Sequence, residues 1–325
     1  MRYPWVTTFV VLAGCQSSGG APPTRTSVTE VVVANQQSAS ASIMTGDGIS
    51  MKHVTVGAGP HEAAISPDGR VAVVTIYGTQ TPGNQLAVIN LAGDTVTRII
   101  DLGSYTRPHG AAFLAGRSDR VVVTSEATNN VVLVDLVTGA VEAIPTQARA
   151  SHMVAVTADG TRGWTANIVD NSVSEIDLTG RRFVRSFAVP ARPEGIAVTP
   201  DGSEVWVGSN ETGAVTVIST ATGTIIHTLT GTTFPYRLTA APDGSRMAIV
   251  DGTGNRLVIA DVASHLIVGS IALDSPRGVA IAPDDRTAYV TLAGGLLAVV
   301  DIESMTVRRT LAVQASPDGV GVGMR

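Results

Sequence analysis

The sequence contains very little of several residue types, and each shortage narrows what the protein can be. Cys15 is the only cysteine among 325 residues, so no disulfide can form within one chain. Aromatic residues make up 4% of the sequence, which leaves few rings for stacking on single-stranded nucleic acid. The net charge of −5 disfavours a nucleic acid or an anionic surface as the main partner. We therefore expect no nucleic-acid partner.

Motifs of several enzyme classes are missing as well. The sequence has no Gly-x-Ser-x-Gly elbow, no phosphate-binding loop, no His-Glu-x-x-His motif and no Cys-x-x-Cys-His haem attachment. The GVGVG run at residues 319–323 lacks the strand–helix–strand context of a dinucleotide site. We expect a binding module more than an enzyme, and acid–base catalysis by histidines and carboxylates is the alternative.

The N-terminal residues resemble a bacterial lipoprotein signal. One basic residue and a short apolar run precede Leu12-Ala13-Gly14-Cys15, a pattern that is cleaved before the cysteine. An ordinary secretory signal or a short membrane anchor is the alternative. We predict a signal peptide over 1–14, a lipidated Cys15 and a flexible tether over 15–29. The protein would then be extracytoplasmic and anchored to the cell envelope, in the periplasm, at the outer membrane or on the cell surface.

A repeated segment dominates the rest of the sequence. GPHEAAISPDG at residues 59–69 recurs in forms such as RPEGIAVTPDG and SPRGVAIAPDD. The first strand of each copy starts at an anchor residue, and the anchors are 41 to 48 residues apart: Pro60, Pro108, Ser151, Pro193, Pro235, Pro276 and Pro317. Each copy holds four short runs rich in Val, Ile and Thr with Gly, Asn or Asp turns between them. Four strands in a period of 40 to 45 residues are typical of a propeller blade.

The two ends of the sequence complete one another. The last copy stops after one strand, and the residues before the first copy contain three unpaired strand patterns. We predict an all-β, seven-bladed β-propeller of four-stranded blades over residues 30–325, whose last blade combines about 30–57 with 316–325. A monomer is expected.

These repeats resemble the YVTN-repeat, or YncE-like, seven-bladed propellers of bacterial and archaeal exteriors. The resemblance rests on the PxGIAVxPDG openings and on the strand ends WTAN and VWVGSN. It implies the fold and an extracytoplasmic location more strongly than an activity. Related propellers include lactonase-like enzymes, quinoprotein subunits and haem-d1 domains, so a hydrolase or lyase and a redox-associated subunit are the alternative functions. One family member is associated with single-stranded DNA, which the acidic charge disfavours here.

The residue after each anchor is predicted to face the central channel on one shared side of the ring. These residues are all polar or ionisable: His61, His109, His152, Glu194, Tyr236, Arg277 and Asp318, with Arg237 one position further on. The three histidines occupy consecutive blades and could share a divalent metal with Glu194 as a further ligand. The alternatives are a polar ligand without metal, or imidazoles that only bond neighbouring backbone carbonyls.

Loops between second and third strands are predicted on the same face. The first is long, residues 77–85, and would bring Tyr77 over His61. Equivalent loops carry the candidate ligand residues Glu126 and Asn167, together with Asp170 and Glu211. Trp164, Trp206 and Tyr289 are predicted to pack between blades. Asp135, Asp177, Asp261 and Asp301 are predicted to cap the turns that follow them.

These features lead to one expectation of function. We expect a lipid-anchored extracytoplasmic propeller that binds a protein, an envelope polymer or a small polar ligand through the channel face. A divalent metal in this funnel is the only cofactor indicated.

Overall fold

A computed structural model of the protein describes Met1 and residues 28–325. Cys15 and nearly all of the predicted signal peptide and tether lie outside these residues. The described chain folds as strands joined by turns, with no helix in it. A helix long and apolar enough to cross a membrane is accordingly not found in that part of the chain.

The strands follow one another along the whole propeller. The first fourteen are β1 (Thr29–Asn35), β2 (Ser40–Thr45), β3 (Met51–Thr55), β4 (Pro60–Ile65), β5 (Val71–Gly78), β6 (Pro82–Asn90), β7 (Thr95–Asp101), β8 (Pro108–Phe113), β9 (Arg120–Ser125), β10 (Asn130–Asp135), β11 (Val141–Pro145), β12 (Ser151–Val156), β13 (Arg162–Asn167) and β14 (Ser172–Asp177). The second fourteen are β15 (Arg182–Ala188), β16 (Pro193–Val198), β17 (Glu204–Ser209), β18 (Ala214–Ser219), β19 (Ile225–Leu229), β20 (Pro235–Ala240), β21 (Arg246–Asp251), β22 (Arg256–Asp261), β23 (Leu266–Ala272), β24 (Pro276–Ile281), β25 (Thr287–Leu292), β26 (Leu296–Asp301), β27 (Thr306–Ala312) and β28 (Pro317–Met324).

These strands form seven antiparallel sheets of four strands each. Blades 1 to 6 are consecutive strand quartets, from β4–β7 to β24–β27, and blade 7 has the order β28-β1-β2-β3. The innermost strands β4, β8, β12, β16, β20, β24 and β28 contact one another in sequence around a closed ring. The predicted seven-bladed propeller is therefore confirmed.

Blade 7 joins the two ends of the chain. β1 pairs with β28 from Thr29 opposite Met324 to Asn35 opposite Pro317. Because β28 also contacts the innermost strands of blades 6 and 1, the C-terminal strand completes the ring. The composite blade is confirmed, and no sheet edge is left open around the channel.

The core lies between neighbouring sheets. Val, Ile and Ala side chains on the middle strands of each blade are almost fully buried against the next blade. Trp164 packs between blades 3 and 4, Trp206 between blades 4 and 5, and Tyr289 between blades 6 and 7. The predicted packing role of these aromatic residues is confirmed.

The recurring aspartates at the ends of third strands cap their turns. Asp135 accepts hydrogen bonds from the backbone N–H groups of Val137 and Thr138 at 2.9 and 2.8 Å. Asp301 does the same for Glu303 and Ser304, at 3.0 Å each. Asp177 and Asp261 accept from Gly180 and Ser264 respectively. These carboxylates satisfy backbone donors, as predicted, and lie away from the channel.

Candidate functional site

A β-bulge occurs near the start of every innermost strand. In blade 1, Pro60 pairs with Ile76 and Ala63 with Val74, so two residues, His61 and Glu62, face the single residue Thr75. The same one-residue excess occurs in the other six blades. A bulge breaks the alternation of a strand and re-aims side chains. Two successive residues of one blade can therefore reach the same site.

The chain turns sharply before each innermost strand. The residue before the anchor has a positive φ in six of seven blades: Gly59, Arg107, Ala150, Arg192, Ser275 and Ser316. In all seven blades its carbonyl accepts a hydrogen bond from the residue just beyond the second strand's paired region: Gln36, Tyr77, Glu126, Ile168, Asn210, Gly252 and Ala293. These bonds create a second ring of equivalent positions around the first. Tyr77, Glu126 and Asn210 belong to this outer ring.

The three predicted histidines lie against one another at the channel mouth. The ring centroids of His61 and His109 are 4.0 Å apart, and those of His109 and His152 are 3.6 Å apart. Tyr77 covers them, with its ring 5.1 Å from His61 and 5.5 Å from His109. None of the three imidazoles hydrogen-bonds a backbone carbonyl, which was the structural alternative.

Carboxylates contact the two outer imidazoles of this stack. His152 Nδ1 lies 3.0 Å from Glu126 Oε2, and its Nε2 lies 3.3 Å from Glu194 Oε1. His61 Nε2 lies 3.5 Å from Asp318 Oδ2. Burial disfavours a charged His152, but its contacts with Glu126 and Glu194 raise its pKa above the usual value.

His109, in the middle of the stack, has no such partner. Its side chain is 1% exposed, and neither Nδ1 nor Nε2 makes a hydrogen bond. Burial, with the charges of His152 and His61, lowers its pKa well below the usual value, so it is a neutral imidazole. A buried polar group without a partner costs about 1–3 kcal/mol, which makes this residue stand out in the fold.

Arg237 closes the mouth from the opposite side. Its Nη2 and Nε donate to Glu62 Oε1 at 2.7 and 3.0 Å, and its Nη1 lies 3.3 Å from Glu194 Oε1. The guanidinium also stacks 4.2 Å above the Tyr236 ring. Burial opposes ionisation of Glu62, but the charge of Arg237 lowers the pKa of Glu62 to about 2. A buried ion pair thus spans the predicted funnel.

We define the channel-mouth cluster as the side chains that meet here. They are His61, Glu62, Tyr77, His109, Glu126, His152, Glu194, Asn210, Tyr236, Arg237 and Asp318. Four are carboxylates, whereas Arg237 is the one guanidinium in the described part of the chain that contacts any of them. Glu126 and Glu194 have pKa values below the usual range, because hydrogen bonds and charges of His152 outweigh their burial. The cluster is therefore rich in negative charge.

Two groups within the cluster converge closely enough to hold a metal ion. One is His61, Glu62 and His109, and the other is His109, Glu126 and His152, with ligand atoms within 4.8 Å of one another in each. The trio of histidines predicted from the sequence is not itself one of these groups. Each group contains His109 and takes its third ligand from a carboxylate.

Some predicted site residues lie elsewhere. Asn167 is the last residue of β13, fully buried, and donates to Ser172 and Ser174 while accepting from Ser151. The outer-ring position of its blade is Ile168, one residue later, so the side chain of Asn167 ties strands together instead. Arg277 is exposed and lines a separate surface pocket beside Tyr236.

The predicted loops also differ in part. The expected long loop 77–85 is largely an extended hairpin in which Gly78 pairs with Pro82, although Tyr77 does cover His61 as predicted. Asp170 pairs with Arg149 at 2.6 Å on the surface, and Glu211 is exposed.

Glu62 and Asn210 are site residues that the sequence interpretation missed. Asn210 Nδ2 donates to Glu194, and Glu62 anchors Arg237. The second bulge position is glycine in four blades, because a Cβ there would strike the next strand: Gly110, Gly195, Gly278 and Gly319. Glu62 and Arg237 occupy this position where other blades have glycine. That departure was the signal in the repeats that could have identified the Glu62–Arg237 pair.

Comparison with known proteins identifies the family. A profile of the YncE-like beta-propeller family matches residues 47–242, more than half of the chain. No curated protein sequence matches the chain significantly.

Two solved structures share the architecture at low sequence identity. A functionally unknown protein from Desulfotomaculum acetoxidans aligns with a TM-score of 0.76 and 16% identity, over 90% of this chain and 98% of that one. Hydrazine synthase of Kuenenia stuttgartiensis aligns with a TM-score of 0.70 and 15% identity, over 81% and 89% of the two chains. At these identities the similarity establishes the fold alone.

Proposed function

The chain belongs to the YncE-like β-propeller family, and from this premise we propose that it is an extracytoplasmic binding protein that holds a small cationic ligand at its channel mouth. The observation that carries the proposal is the excess of buried carboxylate in the channel-mouth cluster. Glu62 and Glu194 contact the Arg237 guanidinium, whereas Glu126 and Asp318 contact imidazoles instead, and this balance supports a positively charged occupant.

The size of the occupant follows from the closed mouth. Arg237 reaches across the channel to Glu62, and the imidazole stack with Tyr77 covers the remaining side. His61, His109, His152 and Arg237 are each at most 8% exposed. This burial supports a metal ion or a small ammonium group as the occupant over the protein or polymer segment that the sequence also allowed.

The proposed location rests on the sequence. Leu12-Ala13-Gly14-Cys15 matches the pattern of a lipidated cysteine, and the small, polar residues that follow suit a tether. The propeller would then present a rigid site close to a membrane surface, where a tethered binding protein samples ligands entering or leaving the envelope.

Thermal unfolding of the full-length chain tests the proposed ligand class. The probes are ammonium, ethanolamine and putrescine, the chlorides of calcium, manganese, nickel and zinc, and the anions succinate and phosphate. A ligand at a hundred times its dissociation constant stabilises the folded state by about 2.7 kcal/mol, a shift of a few degrees. We expect at least one cation to raise the melting temperature and neither anion to do so.

Matched variants locate the effect. Glu194→Gln removes a carboxylate of the cluster and should abolish the shift, whereas Glu142→Gln removes an exposed carboxylate paired with Arg181 and should leave it intact. Stabilisation by anions alone, or by no probe, would refute the proposal. Turnover of a lactone that is lost in His152→Ala would replace it with the enzyme alternative.

A further inference from the structure

We infer that the channel-mouth cluster is a transition-metal site in which His109, His152 and Glu126 hold a zinc-like divalent ion. This inference rests on the proposed cation-binding function and names the ligand class. The three residues come from two different kinds of repeat position. His109 and His152 follow the anchors of blades 2 and 3, and Glu126 is the residue just after the second strand of blade 2.

His109 is the observation that points to an ion. Both of its ring nitrogens are buried without a hydrogen-bond partner, although the side chain is 1% exposed. A neutral imidazole that only supported the fold would donate a hydrogen bond through one ring N–H and accept one at the other nitrogen. A metal ion would bind one of these two nitrogens and offset the free-energy cost of burying it without a partner.

The two converging groups differ in how their carboxylates are paired. Glu62, in the other group, already accepts two hydrogen bonds from Arg237, at 2.7 and 3.0 Å. Within residues 28–325, Glu126 contacts no guanidinium, and its Oε2 meets His152 Nδ1 at 3.0 Å and the Tyr77 hydroxyl at 3.2 Å. An ion between Glu126 and His152 would take the place of the direct contact between these two side chains.

The surrounding groups orient the ligands as metal sites require. With His152 Nδ1 on the metal, its Nε2 lies 3.3 Å from Glu194 Oε1, and a carboxylate beside a ligand histidine can fix its ring once the two groups align in a hydrogen bond. The Tyr77 hydroxyl steadies Glu126 in the same way. Asn210 holds Glu194 from its far side.

The site also has an entrance and a suitable size. The side chain of Glu126 is 22% exposed, so an ion can reach it from solvent before passing to the buried imidazoles. Ligand atoms within 4.8 Å need shifts of about 1 Å to reach the roughly 3.3 Å spacing of tetrahedral zinc ligands. Two imidazoles and one carboxylate suit zinc, nickel or copper better than calcium or magnesium.

Zinc titration of the full-length chain, first stripped with a chelator, measures this site directly. We expect one zinc per chain, and about 100-fold weaker binding in His109→Gln and His152→Gln, which keep volume and polarity. Glu126→Gln and Glu194→Gln should each weaken zinc binding about 10-fold or more. The control is His53→Gln, a histidine on β3 that bonds Ser42 far from the mouth, which should bind zinc like the unchanged protein.

A further variant separates the two candidate groups, and a spectrum guards against misfolding. His61→Gln should change zinc affinity less than about threefold. If His61→Gln instead abolished zinc binding and Glu126→Gln left it unchanged, the assignment would be overturned. Cobalt bound to the unchanged protein should show the intense visible bands of a four-coordinate ion, and His109→Gln, folded by circular dichroism, should not. Stabilisation by ethanolamine without zinc binding would refute the metal site and leave the proposed function standing, whereas no binding of either refutes both.

Discussion

The guanidinium of Arg237 in blade 5 donates two hydrogen bonds to Glu62 in blade 1, on blades that are not neighbours in the ring. This ion pair crosses the channel and is almost fully buried, with side-chain exposures of 4% and 10%. It links opposite sides of the ring at the same level as the imidazole stack. Closure of this side of the mouth thus depends on the contact between Arg237 and Glu62.

Removing one member of this pair should destabilise the protein strongly. Arg237→Met leaves Glu62 as an uncompensated buried charge, and we expect a loss of about 3–5 kcal/mol in the free energy of unfolding. The double variant with Glu62→Gln should lose less than the sum of the single changes, because the two side chains interact directly. Urea unfolding measures all three proteins.

An exposed ion pair provides the control for that experiment. Arg117 pairs with Asp119 at 2.8 Å on the surface, where its side chain is 54% exposed. Arg117→Met should shift the midpoint of urea unfolding far less than Arg237→Met does, because solvent screens an exposed pair. Equal losses at Arg117 and Arg237 would show that the buried pair has no special role.

Gly319 should not tolerate a side chain. A Cβ at this position would lie 2.5 Å from Glu62 Oε2 and 2.6 Å from the carbonyl oxygen of His61, where blade 7 meets blade 1. Gly319→Ala should therefore reduce the free energy of unfolding by about 1–3 kcal/mol. Gly294→Ala, where a Cβ meets no atom within 4 Å, should change it by less than about 0.5 kcal/mol. Similar values for the two variants would contradict the close approach of the blades.

The contribution of Asp251 to stability should depend on pH. Its carboxylate accepts hydrogen bonds from Thr233 and Phe234, at 2.7 to 3.0 Å, and from Arg256 at 3.0 Å. Burial opposes ionisation, but these donors together hold its pKa below the usual value of 3.8. Because the pKa of Asp251 is lower in the folded than in the unfolded state, its ionisation stabilises the protein fully above the unfolded pKa. This stabilisation is lost as the pH falls through the folded pKa.

Asp251→Asn should accordingly cost about 1–3 kcal/mol at pH 7, and the difference from the unchanged protein should shrink below pH 4. Urea unfolding at pH 7, 5 and 3 measures it. Asp243→Asn, an exposed carboxylate that accepts from the Ser245 backbone, should stay within about 0.5 kcal/mol. A constant difference at all three pH values would exclude ionisation of Asp251 as the cause.

Lipidation of Cys15 gives a prediction for the cell. Cys15→Ser should move the protein from the membrane fraction to the soluble extracytoplasmic fraction, because the acyl chains supply most of the membrane affinity. Fractionation followed by immunoblotting detects the change. Ser18→Ala, in the predicted tether, should stay with the membrane. Membrane attachment of Cys15→Ser equal to that of the unchanged protein would reject the lipoprotein prediction.

The repeats made the fold predictable, whereas the site was predictable only in part. The anchor residues gave the innermost strands and hence placed His61, His109 and His152 side by side, as the structure shows them. In blade 3 the predicted outer-ring position was one residue too early, so Asn167 was predicted as a site residue although Ile168 occupies that position. Regular alternation of side chains along a strand would turn Glu62 away from the face that His61 occupies. The β-bulge at this point breaks the alternation, so the sequence pattern did not predict Glu62 as a site residue.

The sequence by itself determined the number of blades, the closure of the ring by both chain ends, and the placing of His61, His109 and His152 at one mouth. Those features repeat along the chain, and repetition of a local pattern is readable without coordinates. Only the tertiary structure decided that the mouth is closed by Arg237 and Glu62, that carboxylates flank the outer imidazoles, and that His109 lacks a partner. These contacts join residues far apart in the sequence, 175 positions in the case of Glu62 and Arg237, and their geometry depends on how seven blades curve around a common axis.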